Sequence, residues 1–217
     1  MYRRIFTGII DQGKTRGFLD AMRDASTHQE QRGIRARTII WGSMTGQTNG
    51  VLIVSDFNTM EDLERFSDLA AEDASFADVR RGVRTNMLFD HNDVSIHRMA
   101  YHSEGLYSSE EATAPRRYMR VLAGEVKPGK HREFVMAISV ALEYQKQRGI
   151  DAVTSVWTAV TGQTSGISVV AEFDTLAELE KFDEMAQKDA DFAELRKATR
   201  ECMVFLTSQV SIYRNLL

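Results

Sequence analysis

The sequence predicts an α+β fold of two β-α-β-β-α-β modules that pack sheet to sheet. Every residue from Tyr2 to Tyr101 has a counterpart 116 positions later, between Tyr118 and Leu217, without a gap. Roughly 41 of the 100 aligned pairs are identical, which is far above chance and indicates duplication of one unit. Inside each unit, strand-like and helix-like hydrophobic periods follow one another in the order of that fold.

The first half of each module is predicted to be a strand followed by a long helix. In the first copy the strand covers residues 2–10 and the helix covers residues 14–31, where Phe18 and Met22 recur at helical spacing. Gly33 comes just after the last turn, where a left-handed residue ends many helices. The second copy repeats this pattern and has a Pro-Gly turn before its helix.

The second half of each module is predicted to be two strands, two helices and a last strand. The strands cover residues 36–44 and 51–57 in the first copy. Because a strand follows the glycine-rich loop between them, a hairpin is favoured over a phosphate-binding loop. A capping box at Thr59 opens the next helix, and a short helix carries Phe76. The last strand covers residues 87–98 in the first copy and 203–214 in the second.

The repeat predicts two domains, residues 1–101 and 118–217, joined by a polar surface linker over residues 102–117. The chain starts directly in the first repeat without the apolar run of a signal peptide. It also has no stretch of about 18 apolar residues that would span a membrane. We therefore expect a cytoplasmic protein that does not bind membranes.

The charge of the chain argues against nucleic-acid binding. The formal net charge is -4, whereas phosphate binding needs a concentrated basic surface. Arginines alternate with acidic residues, as in the run from Asp78 to Arg81. This alternation predicts solvated helix faces with local ion pairs.

The sequence resembles the dimeric α/β-barrel superfamily, in which ferredoxin-like units pair sheet to sheet. The similarity lies in residues 127–130 (KPGK), in Phe134, and in the stretches 169–178 and 189–192, which look NIPSNAP-like. Antibiotic-biosynthesis monooxygenases, muconolactone isomerase and stress-responsive barrel proteins belong to this superfamily. The resemblance implies a dimeric α/β barrel fused into one chain, but it names no reaction, because the fold hosts many functions.

Strand alternation gives a candidate site on the sheet face opposite the helices. Val51, Ile53 and Phe57 suit the helix side, so their neighbours on the strand should face the other way. The same reasoning assigns the residues of the other strands that face away from the helices. It leaves undecided which way the two tryptophans point. The candidates are Arg4, Trp41, Asp56, Ser95 and His97 in the first module, and Arg120, Trp157, Glu172, Ser211 and Tyr213 in the second.

His97 and Asp56 are the catalytic candidates, with His97 as a general base. An arginine beside a carboxylate, such as Arg4 with Asp56, would bind an anionic or enolisable ligand. Each candidate also has a structural interpretation. The charged residues would pair with each other, His97 would be a hydrogen-bonded wall residue, and the tryptophans would be core packing.

The sequence therefore supports several functions. The first is a barrel that binds a small hydrophobic or aromatic ligand, as a cofactor-independent monooxygenase or isomerase would. The alternative is a non-enzymatic stress-response or interaction protein with a filled barrel. No metal site or cofactor is predicted, and haem is disfavoured because the two copies share no axial histidine. Assembly into homo-oligomers and enzymatic activity are left open.

Overall fold

A computed structural model describes residues 1–105, 115–204 and 207–217, with only the backbone of residues 89–92. The elements of the first repeat are β1 (Tyr2–Ile10), α1 (Thr15–Gln31), β2 (Arg37–Ser43), β3 (Gly50–Phe57), α2 (Met60–Glu72), α3 (Ala74–Arg84) and β4 (Met87–His102). Those of the second are β5 (Tyr118–Glu125), α4 (His131–Gln147), β6 (Val153–Ala159), β7 (Gly166–Phe173), α5 (Leu176–Lys188), α6 (Ala190–Cys202) and β8 (Gln209–Asn215).

The eight strands form a closed barrel in the hydrogen-bonded order β1-β3-β2-β8-β5-β7-β6-β4. The pairs of β3 with β1 and β2, and of β7 with β5 and β6, are antiparallel. The predicted fold class, an α+β barrel of two β-α-β-β-α-β modules, is confirmed. No helix in the described ranges is long and apolar enough to cross a membrane.

The chain divides into two compact units, each of which includes the end of the other repeat's last strand. The described residues of unit 1 are Met1–His97 and Arg214–Leu217, and those of unit 2 are residues 98–105, 115–204 and 207–213. In unit 1, the backbone N–H of Leu216 donates to the carbonyl of Ile40 at 3.0 Å. In unit 2, the N–H of Ser103 donates to the carbonyl of Thr154 at 2.8 Å.

These hydrogen bonds correct the predicted ends of the last strands. β4 runs to His102, beyond the predicted end at Arg98, because its final residues find backbone partners in β6. β8 begins at Gln209, whereas the sequence predicted a start at Met203, which forms only an isolated bridge with Val126. Most of the predicted linker, residues 106–114, lies outside the described residues.

Local signals in the sequence set the other boundaries. Gly33 and Gly149 have φ values of 71° and 73°, the left-handed conformation expected after α1 and α4. Thr59 and Thr175 each accept a hydrogen bond from the backbone of the acidic residue three positions on, and so form capping boxes for α2 and α5. These boundaries follow from short-range chemistry, which explains why both copies share them.

In each unit the helices cover one face of the sheet with an apolar core. Phe18 and Met22 of α1 pack with Ile40 and Ile53 in unit 1. In unit 2, Phe134 of α4 belongs to a similar cluster. Since paired residues of antiparallel strands share a face, the register with Ile53 identifies which residues of β1 and β2 point toward the helices.

Candidate small-molecule pockets

Unit 1 contains a pocket of about 350 Å³ between its helices and its sheet. Its walls come from all four strands and all three helices of the first repeat, and they are mainly apolar and aromatic. Phe66 and Phe76 contribute rings from α2 and α3, and Ile53 contributes the sheet side. A small number of polar groups interrupt this lining, as in typical ligand pockets.

Unit 2 contains a pocket of about 390 Å³ at the corresponding position. Phe182 and Phe192 replace Phe66 and Phe76, and Gln145 on α4 takes the place of Gln29. Each pocket is also lined by three arginines, one from the first strand of the unit and two from its last helix. The repeat therefore encodes the same pocket twice.

The strand arginine of each pocket lies against an aromatic ring. The guanidinium carbon of Arg4 is 5.4 Å from the centre of the Phe66 ring, and that of Arg120 is 4.9 Å from the Phe182 ring. Burial lowers the pKa of both guanidinium groups, and the charge of Arg80 lowers that of Arg4 further. Contact with a ring face partly compensates a cation for the water that it has lost.

The two pockets differ in one pair of polar residues on the sheet. In unit 1, the hydroxyl groups of Thr38 and Ser55 lie 3.0 Å apart and form a hydrogen bond. In unit 2 the counterpart of Ser55 is Ala171, and the buried Oγ1 of Thr154 has no hydrogen-bond partner among the described residues. An unpaired buried hydroxyl is costly, so Thr154 offers a hydrogen-bonding group to a ligand.

The structure corrects the predicted pairing of Arg4 with Asp56. Arg4 lies opposite Ser55 in the register, points to the helix side and lines the pocket of unit 1. Arg3 makes the ion pair instead: its Nε and Nη2 donate to Oδ1 and Oδ2 of Asp56 at 2.6 and 2.8 Å. Asp56 is fully buried on the face opposite the helices, and the counterpart of Arg3 is Met119.

His97 and Ser95 lie on the same face as the Arg3–Asp56 pair. The hydroxyl of Ser95 and Nε2 of His97 are 2.9 Å apart, whereas the buried Nδ1 of His97 has no hydrogen-bond partner in the described chain. Burial and, to a smaller extent, the charge of Arg3 lower the pKa of His97 to about 4. The imidazole is therefore neutral near pH 7.

The other predicted residues are spread along the faces opposite the helices. Trp41 is opposite Leu52 in the register and is buried, and Trp157 donates from Nε1 to the Ser155 hydroxyl at 2.7 Å. Glu172 accepts a long hydrogen bond of 3.4 Å from the backbone of Arg116. Ser211 and Tyr213 are half-buried on β8.

Sequence reasoning missed the helix arginines of the pockets. The run containing Arg80 was predicted to be a solvated face, which describes the exposed pair of Arg81 with Asp78. Arg80 instead donates from Nη1 to the carbonyl of Ala70 at 2.7 Å and lines the pocket. The signal was present in the repeat, since Arg80 and Arg84 recur as Arg196 and Arg200 at the same helical spacing.

No histidine is among the described residues that line either pocket. No group of three or more histidine, cysteine, aspartate or glutamate residues with metal-binding geometry occurs in the described ranges either.

Comparisons with known proteins identify the fold. No family model matches the sequence, and no curated protein matches it. A proposed monooxygenase from Fusobacterium nucleatum is similar over 100% of this chain and 92% of its own, with 10% identity and a TM-score of 0.69. An anthrone oxidase-like protein is similar over 100% and 91% of the two chains, with 10% identity and a TM-score of 0.68.

A proposed chlorite dismutase matches less closely, with 14% identity and a TM-score of 0.55 over 100% of this chain and 94% of its own. A NIPSNAP domain protein from Burkholderia xenovorans is similar over 44% of this chain and 91% of its own, with 18% identity and a TM-score of 0.37. At these identities the similarity concerns the fold. The fold is that of the dimeric α/β-barrel proteins, as the sequence predicted.

Proposed function

We propose that this protein binds a small amphipathic molecule in the pocket that each unit forms between its helices and its sheet. The observation that carries the proposal is the repetition of the pocket. Both copies keep two facing phenylalanines, one glutamine and three arginines at equivalent positions, although most aligned positions differ. Volumes of 350 and 390 Å³ suit a ligand of a few fused or linked rings.

Turnover of a small molecule, by cofactor-independent oxygenation or by isomerisation, is the finer form of the proposal. The monooxygenase and anthrone oxidase-like neighbours support it through their names only. A catalytic role for His97 and Asp56 remains part of this proposal. Because both lie on the sheet face away from the pocket of unit 1, they would act on a molecule bound on that face.

A second candidate is a protein without a ligand, whose polar residues only hold the fold. The packing of the face opposite the helices favours it. Trp41 and Trp157 are at most 1% exposed, and Asp56 is fully buried in its pair with Arg3. These side chains fill space that a ligand would otherwise occupy. The two candidate functions differ in whether the pockets on the helix side bind a ligand.

Titration with phenylnaphthylamine, a neutral fluorescent probe of aromatic pockets, tests the binding proposal. We expect saturable binding with two equivalents per chain. Replacing Ala70, which lines the pocket of unit 1, by phenylalanine should remove one equivalent. Ala71→Phe is the matched control, since Ala71 is the exposed neighbour on the same helix.

Absence of saturable binding would favour the protein without a ligand. Two equivalents in the Ala70→Phe variant would place the probe outside the pocket of unit 1. Native mass spectrometry of freshly purified protein adds an independent measurement, because a bound natural ligand would appear as a defined mass that is released on unfolding.

A further inference from the structure

The strand arginines of the two pockets have different charged neighbours. Arg4, Arg80 and Arg84 line the pocket of unit 1, and in the described chain no carboxylate forms an ion pair with Arg4 or Arg80. Desolvation and a neighbouring arginine lower the pKa of each of these two groups. Like charges held together in a half-buried apolar pocket repel each other, and a bound anion would relieve that repulsion.

The pocket of unit 2 has a carboxylate near the same arginines. Oδ1 of Asp183 lies 4.0 Å from Nε of Arg120, and its charge favours the protonated forms of both Arg120 and Arg196. The counterpart of Asp183 in unit 1 is Ser67, whose hydroxyl donates to the carbonyl of Leu63 at 2.9 Å. One position in the repeat therefore decides whether a carboxylate lies near the strand arginine of the pocket.

Resting on the proposed binding function, we infer that the pocket of unit 1 selects an amphipathic aromatic anion with one carboxylate or sulfonate group. The rings would lie among the phenylalanines, and the anionic group would lie near the guanidinium of Arg4. In unit 2, the carboxylate of Asp183 already neutralises part of the arginine charge and would repel an anionic ligand. That pocket therefore selects less strongly for an anion, and Thr154 offers its ligand a hydrogen bond.

A pair of probes with the same rings separates charge from shape. Anilinonaphthalene sulfonate carries one negative charge, whereas phenylnaphthylamine lacks it. For the wild-type protein we expect the sulfonate to bind in two phases whose dissociation constants differ by about tenfold, since one partly screened charge pair has about this effect. Ala70→Phe should remove the tighter phase.

Exchanging Ser67 and Asp183 between the two units tests directly how the carboxylate affects anion binding. Ser67→Asp should weaken the tight sulfonate phase about tenfold, and Asp183→Ser should strengthen the weak phase by a similar factor. Neither substitution should change the binding of phenylnaphthylamine by more than about twofold, because that probe is uncharged. Each variant receives the residue that the other unit carries at the same position, so the fold is expected to tolerate it.

The outcomes distinguish the two proposals. If both variants bind the sulfonate like the wild type while the neutral probe still fills two sites, the charge selectivity is wrong and the pocket function stands. If the neutral probe does not bind, the pocket function is wrong. Arg4→Met gives a second measurement: it should weaken the binding of the sulfonate in unit 1 more than it weakens the binding of the neutral probe.

Discussion

The two units share their framework and differ in their buried polar residues. Turn glycines, capping boxes and core phenylalanines recur at equivalent positions. The buried ion pair of Arg3 and Asp56 does not recur, because unit 2 has Met119 and Glu172 there. His97 likewise corresponds to Tyr213.

The difference shows which positions the fold holds fixed and which it leaves free. Backbone geometry and apolar packing constrain the framework of both copies in the same way. A buried polar group depends only on the few side chains around it, so each copy can change its set independently. Four comparisons between equivalent positions test this view, and they follow in order of decreasing expected effect.

The largest effect is expected for the ion pair that only unit 1 contains. Arg3→Met introduces the residue of unit 2 and removes both hydrogen bonds that Arg3 donates to the buried Asp56. We expect the free energy of unfolding to fall by about 3 kcal/mol, measured by urea denaturation. The double variant Arg3→Met with Asp56→Leu should recover most of the loss. A single variant as stable as the wild type would show that the pair is dispensable.

The next effect concerns His97, whose pKa is lowered from 6.5 to about 4 by burial and by Arg3. Between pH 4 and pH 6.5, His97 binds a proton in the unfolded chain but not in the folded chain. The contribution to stability is therefore present above pH 6.5 and is lost as the pH falls toward 4, by up to about 3 kcal/mol. His97→Tyr, which copies unit 2, should remove this part of the pH dependence in urea denaturation. An unchanged pH profile in that variant would contradict the assignment.

A smaller and opposite pair of effects is expected at the sheet threonines of the pockets. Thr38→Val removes the hydrogen-bond partner of Ser55 and should lower the free energy of unfolding by about 1 kcal/mol. Thr154→Val removes a buried hydroxyl group that has no partner in the described chain, and should raise stability by about 1 kcal/mol. Thermal unfolding of both variants measures the contrast. Equal destabilisation would mean that Thr154 is satisfied within the protein.

The smallest difference is expected at the capping boxes, where the units are alike. Oγ1 of Thr59 and of Thr175 accepts a hydrogen bond from a backbone N–H at 3.1 and 3.2 Å. Thr59→Ala and Thr175→Ala should each lower the free energy of unfolding by about 1 kcal/mol. Effects that differ by more than about 1 kcal/mol would show that local chemistry alone does not fix these helix ends.

Much of the fold could be predicted because the repeat acts as an internal alignment. The order of strands and helices, the glycine caps and the barrel follow from periodicity, from turn residues and from the resemblance. The site was harder to predict. Adjacent residues of a strand point to opposite faces, so choosing Arg4 instead of Arg3 as the partner of Asp56 placed the arginine on the wrong side of the sheet.

The sequence by itself determined the duplicated β-α-β-β-α-β order and the ends of its helices, because these depend on neighbouring residues along the chain. Only the tertiary structure decided which arginine pairs with Asp56, where β4 ends, and that Arg80 and Arg84 join Arg4 in one pocket. These features depend on contacts between residues about 50 to 80 positions apart, whose strand register and helix packing local patterns do not specify.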